Sequence, residues 1–324
     1  MNGARVGLDI GGTKIHGIAI GPDGAVLAED RAATTLGAEG VVKSAAAVVA
    51  SLREALDGGE ISSIGVGIPG IVDTRAGTVK HAVNLGLDGD AFPLAALLGE
   101  RTGAVVTLEN DTNAATLGAH AVEDVDDLVY LSLGTGLAAG LYLSGALRRG
   151  FHGAAGEVGH LPVDPEGPVC GCGQRGCLEL VASGAALAAA WPTASGHPAA
   201  ALFAAAAAGD PAAVEVRDRF ANGVAAAVRA LALAVDPERV VIGGGVASVG
   251  EPLREAVAVA LTRQAESSPF LASLELASRL RVVSAAPVAA IGAALITPIT
   301  PAITSTITPA ITSTITPTIT PTKD

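Results

Sequence analysis

Two stretches of this chain, about 120 residues apart, repeat one order of elements, the signature of an internal duplication. In the first, Arg5–Ile10 reads as a short buried strand that ends on Asp9. Gly11-Gly12-Thr13-Lys14 makes a tight polar turn, and Ile15–Ile20 returns as a second strand. Pro22-Asp23-Gly24 has turn chemistry, with proline pre-setting φ and glycine supplying the left-handed position, and Ala25–Glu29 follows as a third strand. In the second stretch Leu128–Leu133, Gly134-Thr135-Gly136, Leu137–Leu143, Ser144-Gly145 and Ala146–Arg148 fill the same places. Helical stretches around Gly40–Leu56 and Pro93–Thr102 and strands at Ile64–Ile68 and Val105–Leu108 lie between the two. From Ser183 to about Val235 the pattern is mostly helical. A strand at Arg239–Ile242 then runs into Gly243-Gly244-Gly245, and a strand at Leu280–Ser284 precedes a helix at about Ala289–Leu295. The expectation is two similar α/β lobes facing each other across a cleft of the kind that takes ligands. The first lobe comprises residues 1–114 plus about 285–296, the second residues 115–284.

At 324 residues the chain is long enough for two such cores. Half of it is hydrophobic but only 2% aromatic, so the cores are expected to be built from Ala, Val, Leu and Ile. The mean hydropathy is positive, yet no uninterrupted apolar run reaches the roughly 18 residues of a membrane span. A strand beginning by Val6 leaves no room for a signal peptide, so a soluble cytoplasmic protein is expected. Thiols in that compartment stay reduced, which favours metal binding over disulfides. The net charge of −12 argues against nucleic acid and acidic lipid, and Arg148-Arg149 is only a pair. From Thr297 onward an ITPAITST repeat carries proline in every copy, and an extended, unpacked tail is expected over residues 297–324.

All three cysteines fall in Cys170-Gly171-Cys172 and Cys177, ten residues after His160. Three thiolates and an imidazole complete a zinc tetrahedron with no open position, which builds structure and does no chemistry itself. Glu157 and Glu179 flank this knuckle, so the metal is expected to bring two carboxylates toward one pocket, where they suit the hydroxyls of a polyol. Either one alone would pass for a solvated surface charge. Asp9 and Gly11–Lys14 form a phosphate-binding candidate: glycine N–H groups approach phosphate oxygens, Thr13 and Lys14 add donors, and Asp9 suits a magnesium-bound water. Gly134, Thr135 and Gly136 are the counterpart, and Gly244 within its triplet would let an adenosine lie close to backbone. Gly65-Val66-Gly67-Ile68-Pro69-Gly70 satisfies the dinucleotide-binding string but leads into Ile71-Val72-Asp73 rather than a helix, so no nicotinamide site is expected. Glu109-Asn110-Asp111-Thr112-Asn113 stands between a strand and the helical AATLGAHA. An aspartate there serves equally well as a helix cap or as a carboxylate projecting into the cleft.

Taken together, DIGGTK at 9–14, GIPG at 67–70, NLG at 84–86, ENDTNA at 109–114, LGTG at 133–136, GAAGEVGH at 153–160, CGCGQRGCLE at 170–179 and GGGVA at 243–247 closely resemble the ROK family of sugar kinases and repressors, the glucokinase branch in particular. The resemblance implies an actin-like, hexokinase-type two-lobe fold that closes over sugar and ATP, with Mg2+ and a structural Zn2+. It implies Asp111 as the base on the sugar's primary hydroxyl and Asn84, Asn110, Glu157, His160 and Glu179 as the sugar-binding set, with Gly70 approaching through its backbone. Asp9, Gly11, Gly12, Thr13 and Lys14 would form the first phosphate loop, Thr135 and Gly136 the second. His160, Cys170, Cys172 and Cys177 would hold the zinc. Glucose is the expected substrate, with N-acetylmannosamine, N-acetylglucosamine, mannose and fructose as neighbours and polyphosphate as an alternative donor. A dimer or tetramer is expected. The family's regulators carry a helix-turn-helix before the first phosphate loop, whereas eight residues precede Asp9 here. Two positions depart from the family: Leu137-Ala138-Ala139-Gly140 replaces part of a glycine run, placing methyl groups where they are expected to crowd the phosphates, and Leu87 stands for the usual tryptophan.

Overall fold

The computed structural model describes residues 3–284 and 287–296; the repeat tail at 297–324 lies outside the described residues. The chain opens with an antiparallel meander of β1 (Ala4–Ile10), β2 (Lys14–Ile20) and β3 (Val26–Ala33). Helix α1 (Ala38–Ala55), β4 (Ile61–Ile68), a small hairpin of β5 (Ile71–Asp73) and β6 (Thr78–Lys80), helix α2 (Leu94–Thr102) and β7 (Val106–Asn110) follow. Helix α3 (Asp111–Glu123) leads to a second meander, β8 (Leu128–Leu133), β9 (Leu137–Leu143) and β10 (Ala146–Arg148). After an irregular stretch come α4 (Glu179–Ala182), α5 (Gly184–Ala190), α6 (Pro198–Ala207), α7 (Pro211–Val235), β11 (Arg239–Gly243), α8 (Glu251–Ala265), α9 (Pro269–Ser273), β12 (Leu280–Val282) and α10 (Val288–Leu295).

The duplication expected from the strand order is present in three dimensions. One five-stranded sheet runs β3-β2-β1-β4-β7 and the other β10-β9-β8-β11-β12. In each, the meander is antiparallel and the last two strands join it in parallel. Register then aligns functional positions: Asp9 pairs with Gly67 and Gly67 with Glu109, forming a row at the carboxyl ends of β1, β4 and β7. Ligands of open α/β sheets sit beyond those strand ends. The string Gly65–Gly70 lies in β4 and the turn after it, so no helix opens within the dinucleotide pattern.

The cores match the composition. Val6, Leu8, Ile10, Ile15, Val48 and Leu52 pack with Ile64, Val66 and Leu108 in the first. Leu131, Leu133, Phe220, Val224, Val228, Val240 and Ile242 lie at the heart of the second. Leu87, where the family has tryptophan, is buried in the first core and bridges to Ala82. Ala139 is 3% exposed and packs in the second core, whereas Ala138 is half-buried. Helices α8 and α9 were not anticipated, although Leu253, Val257, Ala260 and Leu261 of α8 line one helical face. No helix among the described residues is long and apolar enough to cross a membrane.

Helix α10 returns from the end of the second sheet to pack on β1, β2 and β4, and it crosses α3, which touches strands of both sheets. The crossing is built from alanine and glycine. A methyl group on Gly292 would run into the Ala114 carbonyl, and one on Gly118 into the Val288 carbonyl. Backbone cannot step aside as a side chain can, so Gly292→Ala is expected to destabilise the fold by about 1–3 kcal/mol or more. Gly89→Ala, which meets nothing within 4 Å, is expected to stay within about 0.5 kcal/mol of the parent in the same urea titration.

Candidate active site

Strand β7 runs to Asn110, and helix α3 begins at Asp111, three residues before the AATLGAHA stretch expected to be helical. Asn110, not Asp111, is the cap. Its backbone is extended, and its Oδ1 accepts from Thr112 N at 3.0 Å and Asn113 N at 3.2 Å. That frees the Asp111 carboxylate, which sits half-buried on the first turn and accepts from Thr112 N at 2.7 Å. Burial raises its pKa, opposed by the hydrogen bonds from Thr112. The Asn110 amide is already engaged: Nδ2 donates to the Gly70 carbonyl at 3.3 Å. Gly70 has φ of 104°, and a side chain there would meet the Lys80 carbonyl, so the GIPG turn requires glycine at this position.

Asp9 lies close enough to Asp111 for the two charges to interact. Burial pushes the Asp9 pKa up to about 6, the Asp111 carboxylate adds to the rise, and Lys14 opposes it. The turn beside it is closed by Gly11 N on Lys14 O at 3.0 Å, and Thr34 clamps it, its hydroxyl donating to Gly11 O at 2.6 Å and its N–H to Thr13 O at 3.1 Å. Thr13 and Lys14 are exposed. Gly12 lies against Asn84, where a methyl would come within 2.7 Å of the Asn84 carbonyl, so the NLG turn touches the first glycine turn. Two acids and one lysine at this strand end leave excess negative charge, a donor set that fits a hard divalent cation such as Mg2+.

The second turn is held from the other side. Gly184 N and Ala185 N, opening α5, donate to Gly134 O at 2.8 Å and Thr135 O at 3.1 Å. Glu179 Oε2 accepts from Leu137 N at 3.0 Å and lies beside Gly136, so this carboxylate joins the zinc segment to the phosphate turn. Gly244, at φ of 85°, passes so close to the Leu133 backbone that no side chain fits. Tyr130 is buried, and its pKa is raised by burial first and then by Asp9. This tyrosine, unremarked in the sequence, lies within electrostatic reach of Asp9 and Asp111.

His160, Cys170, Cys172 and Cys177 present ligand atoms that all lie within 4.8 Å of one another. Cys172 Sγ stands 3.6 Å from Cys177 Sγ, and Cys170 Sγ 3.8 Å from His160 Nδ1. Bonds of about 2.3 Å in a tetrahedron give ligand–ligand edges of roughly 3.8 Å, so the cluster fits zinc. The knuckle is built by Cys170 N on Gln174 O and Gly173 N on Cys170 O, with bridges from Pro162 to Cys177 and Val169 to Arg175. Nδ1 faces the sulfurs, which leaves Nε2 on the side of Glu157, 3.9 Å from its Oε2. A metal-bound imidazole characteristically turns its other nitrogen to a carboxylate.

An ion pair between the lobes was not visible in the sequence. Glu109 is buried, and its Oε2 receives Arg149 Nη2 at 2.6 Å and Nε at 2.7 Å. The sequence presents these residues only as a strand-end glutamate and one member of an arginine pair, 40 positions apart.

Paired sheets of one topology, each with a glycine turn at a strand end, and a closed Cys3His knuckle define a hexokinase-type fold with a structural metal segment. The family model described as "ROK family" matches residues 5–297, and the chain belongs to that family. It is 37% identical over 277 residues to a glucokinase of Thermotoga maritima, covering 78% of this chain and 86% of that one. Among solved structures, a ROK hexokinase from Thermus thermophilus superposes with a TM-score of 0.73 at 36% identity, over 90% of this chain and 97% of the other. A ROK family glucokinase from Streptomyces griseus, solved with glucose and AMPPNP, gives 0.73 at 32% identity over 90% and 98%.

Two outcomes follow from the buried acid and from the cysteine cluster. Asp9 is harder to ionise in the folded chain than its ordinary 3.8 allows, so the native state loses stability as pH rises from about 4 to about 6 and stays penalised above. Asp9→Asn is therefore expected to be more stable than the parent at pH 8, by on the order of 1–3 kcal/mol without added metal. The gap should close below about pH 4, and parallel denaturant titrations across pH would check it. Cys172→Ser is expected to lose zinc and to melt earlier, because the knuckle's anchor is gone; full zinc stoichiometry in the purified variant would remove the assignment.

Proposed function

We propose that the chain is an ATP-dependent hexose kinase that phosphorylates the 6-hydroxyl of glucose. The observation that carries this reading is Asp111: a half-buried carboxylate with a raised pKa, freed from capping by Asn110 and set within electrostatic reach of Asp9. In the proposed reaction the hydroxyl oxygen attacks the γ-phosphorus, the bond from that phosphorus to the β–γ bridging oxygen breaks, and ADP leaves. Asp111 accepts the hydroxyl proton, and its raised pKa makes it the stronger base. The turns at Gly11–Lys14 and Thr135–Gly136 hold the phosphates, and Gly244 lies against the adenosine. Asp9 would help hold Mg2+, which would neutralise charge on the phosphates. Asn84, Asn110, the Gly70 backbone, Glu157, His160 and Glu179 hold the sugar, and Glu179 also connects that site to the second phosphate turn.

The relatives support this reading: one named glucokinase covers most of the chain at 37% identity. Lobes of 1–114 plus 285–296 and of 115–284 belong to it, as do a cytoplasmic location and a homodimer or homotetramer. It is tested by a coupled assay with Mg-ATP, or polyphosphate, over glucose, mannose, fructose, N-acetylglucosamine and N-acetylmannosamine. Glucose is expected to be preferred, and Asp111→Asn to lower kcat by about a thousandfold or more while calorimetric glucose affinity changes little. Unchanged turnover in that variant would take Asp111 out of the reaction.

A further inference from the structure

A buried carboxylate needs a counter-charge, and for Glu109 it comes from the other lobe. Glu109 is 1% exposed at the end of β7, one residue before Asn110. Its Oε1 accepts from Asn113 Nδ2 at 3.0 Å and Asn110 N at 3.1 Å, while Oε2 takes both donors of Arg149. Arg149 follows β10, the edge strand of the second sheet. Its backbone is engaged as well: the carbonyl accepts from Ala155 N at 3.1 Å, pinching residues 150–154 into a loop with Phe151 96% exposed. Ala155 stands two residues before Glu157, and His160 belongs to the Cys3His cluster. The segment from Arg149 to His160 is thus tied at both ends, to Glu109 at one and to the knuckle at the other, with Glu157 between the ties.

We propose that Arg149 is a positioning residue for sugar binding: by pairing with Glu109 it docks the Glu157 segment against the Asn110–Asp111 strand end. This rests on the hexose-kinase reading above. An exposed ion pair would do little, but Glu109 is desolvated, and losing Arg149 leaves an unpaired buried charge. The planar guanidinium supplies two directed donors, which lysine reproduces in charge but not in geometry.

The test compares the parent with Arg149→Gln, Arg149→Lys and the double variant Glu109→Gln/Arg149→Gln. Each is measured for hexose Kd by calorimetry, KM for hexose and ATP, zinc content and melting temperature. Arg149→Gln is expected to weaken hexose binding and raise hexose KM about tenfold or more, with ATP KM and zinc content unchanged. Arg149→Lys should recover part of the loss. The double variant removes the unpaired charge, so its melting temperature should return toward the parent's while hexose affinity stays low. Parental hexose affinity in Arg149→Gln, or affinity that returns together with melting temperature in the double variant, would overturn the proposal. If Arg149→Gln does not fold, the double variant decides by the same criterion. A parent that binds no hexose would bring down the kinase reading and this inference with it, whereas a binding parent with an indifferent variant brings down this inference alone.

Discussion

The close crossing of α3 and α10 is the contact on which the rest of the arrangement depends. Gly118 and Gly292 let each helix touch the other's backbone, and Gly7 and Gly65 do the same where α10 lies on β1 and β4. Gly140 lets α3 sit on β9, where a methyl would run into Thr116. Because α3 opens with Asp111 and touches both sheets, its seating sets where that carboxylate stands relative to each glycine turn. Small residues give no long lever for adjustment. They exchange side-chain packing for short backbone distances, and a methyl added at Gly7, Gly65, Gly118 or Gly292 meets a carbonyl rather than a movable side chain. The scarcity of aromatic residues follows from this mode of packing.

A second constraint is charge. Placing Asp9 and Asp111 at neighbouring strand and helix ends, both withdrawn from water, costs the free protein stability. Two features moderate the cost: Lys14 beside Asp9 and the N–H groups at the start of α3 around Asp111. Neither of them cancels it. A strand end that is electrostatically unfavourable when empty is poised for a cation and for phosphates held by amide N–H groups, so affinity and instability share one origin.

The sequence carried the fold well because its signals were local. Strand, glycine turn and strand recur in order, and the two sheets, ordered 3-2-1-4-7 and 10-9-8-11-12, bear out the duplication. The knuckle was legible for the same reason: Cys170, Cys172 and Cys177 lie within eight positions, and only His160 comes from outside. Side-chain direction was less legible. That Asn110 rather than Asp111 caps α3 depends on which residue is extended, and the composition of ENDTN permits both. That Ala139 turns into the core while Ala138 does not is a matter of strand phase, set by the pairing of Leu133 with Leu137. The contact of Glu179 with the Leu137 amide, 42 positions away, is a tertiary fact with no local signal.

Long-range polar contacts are where sequence reading has least to use and where this site is most specific. Helices and strands locate Asp9, Asp111 and the glycine turns, but the stretch from Arg149 to Cys177 contains almost no regular structure among the described residues. Such a segment loses backbone entropy on ordering without the return of a hydrogen-bond ladder, so it needs fixed points. Glu109 supplies one, the His160–cysteine cluster another, and the Ala139 N–H bonded to Gly156 O a third along β9. Each fixed point joins residues distant in sequence, and each immobilises a different part of the same stretch. Glu157 lies among them, so its placement depends on contacts made by residues that themselves need not touch a substrate.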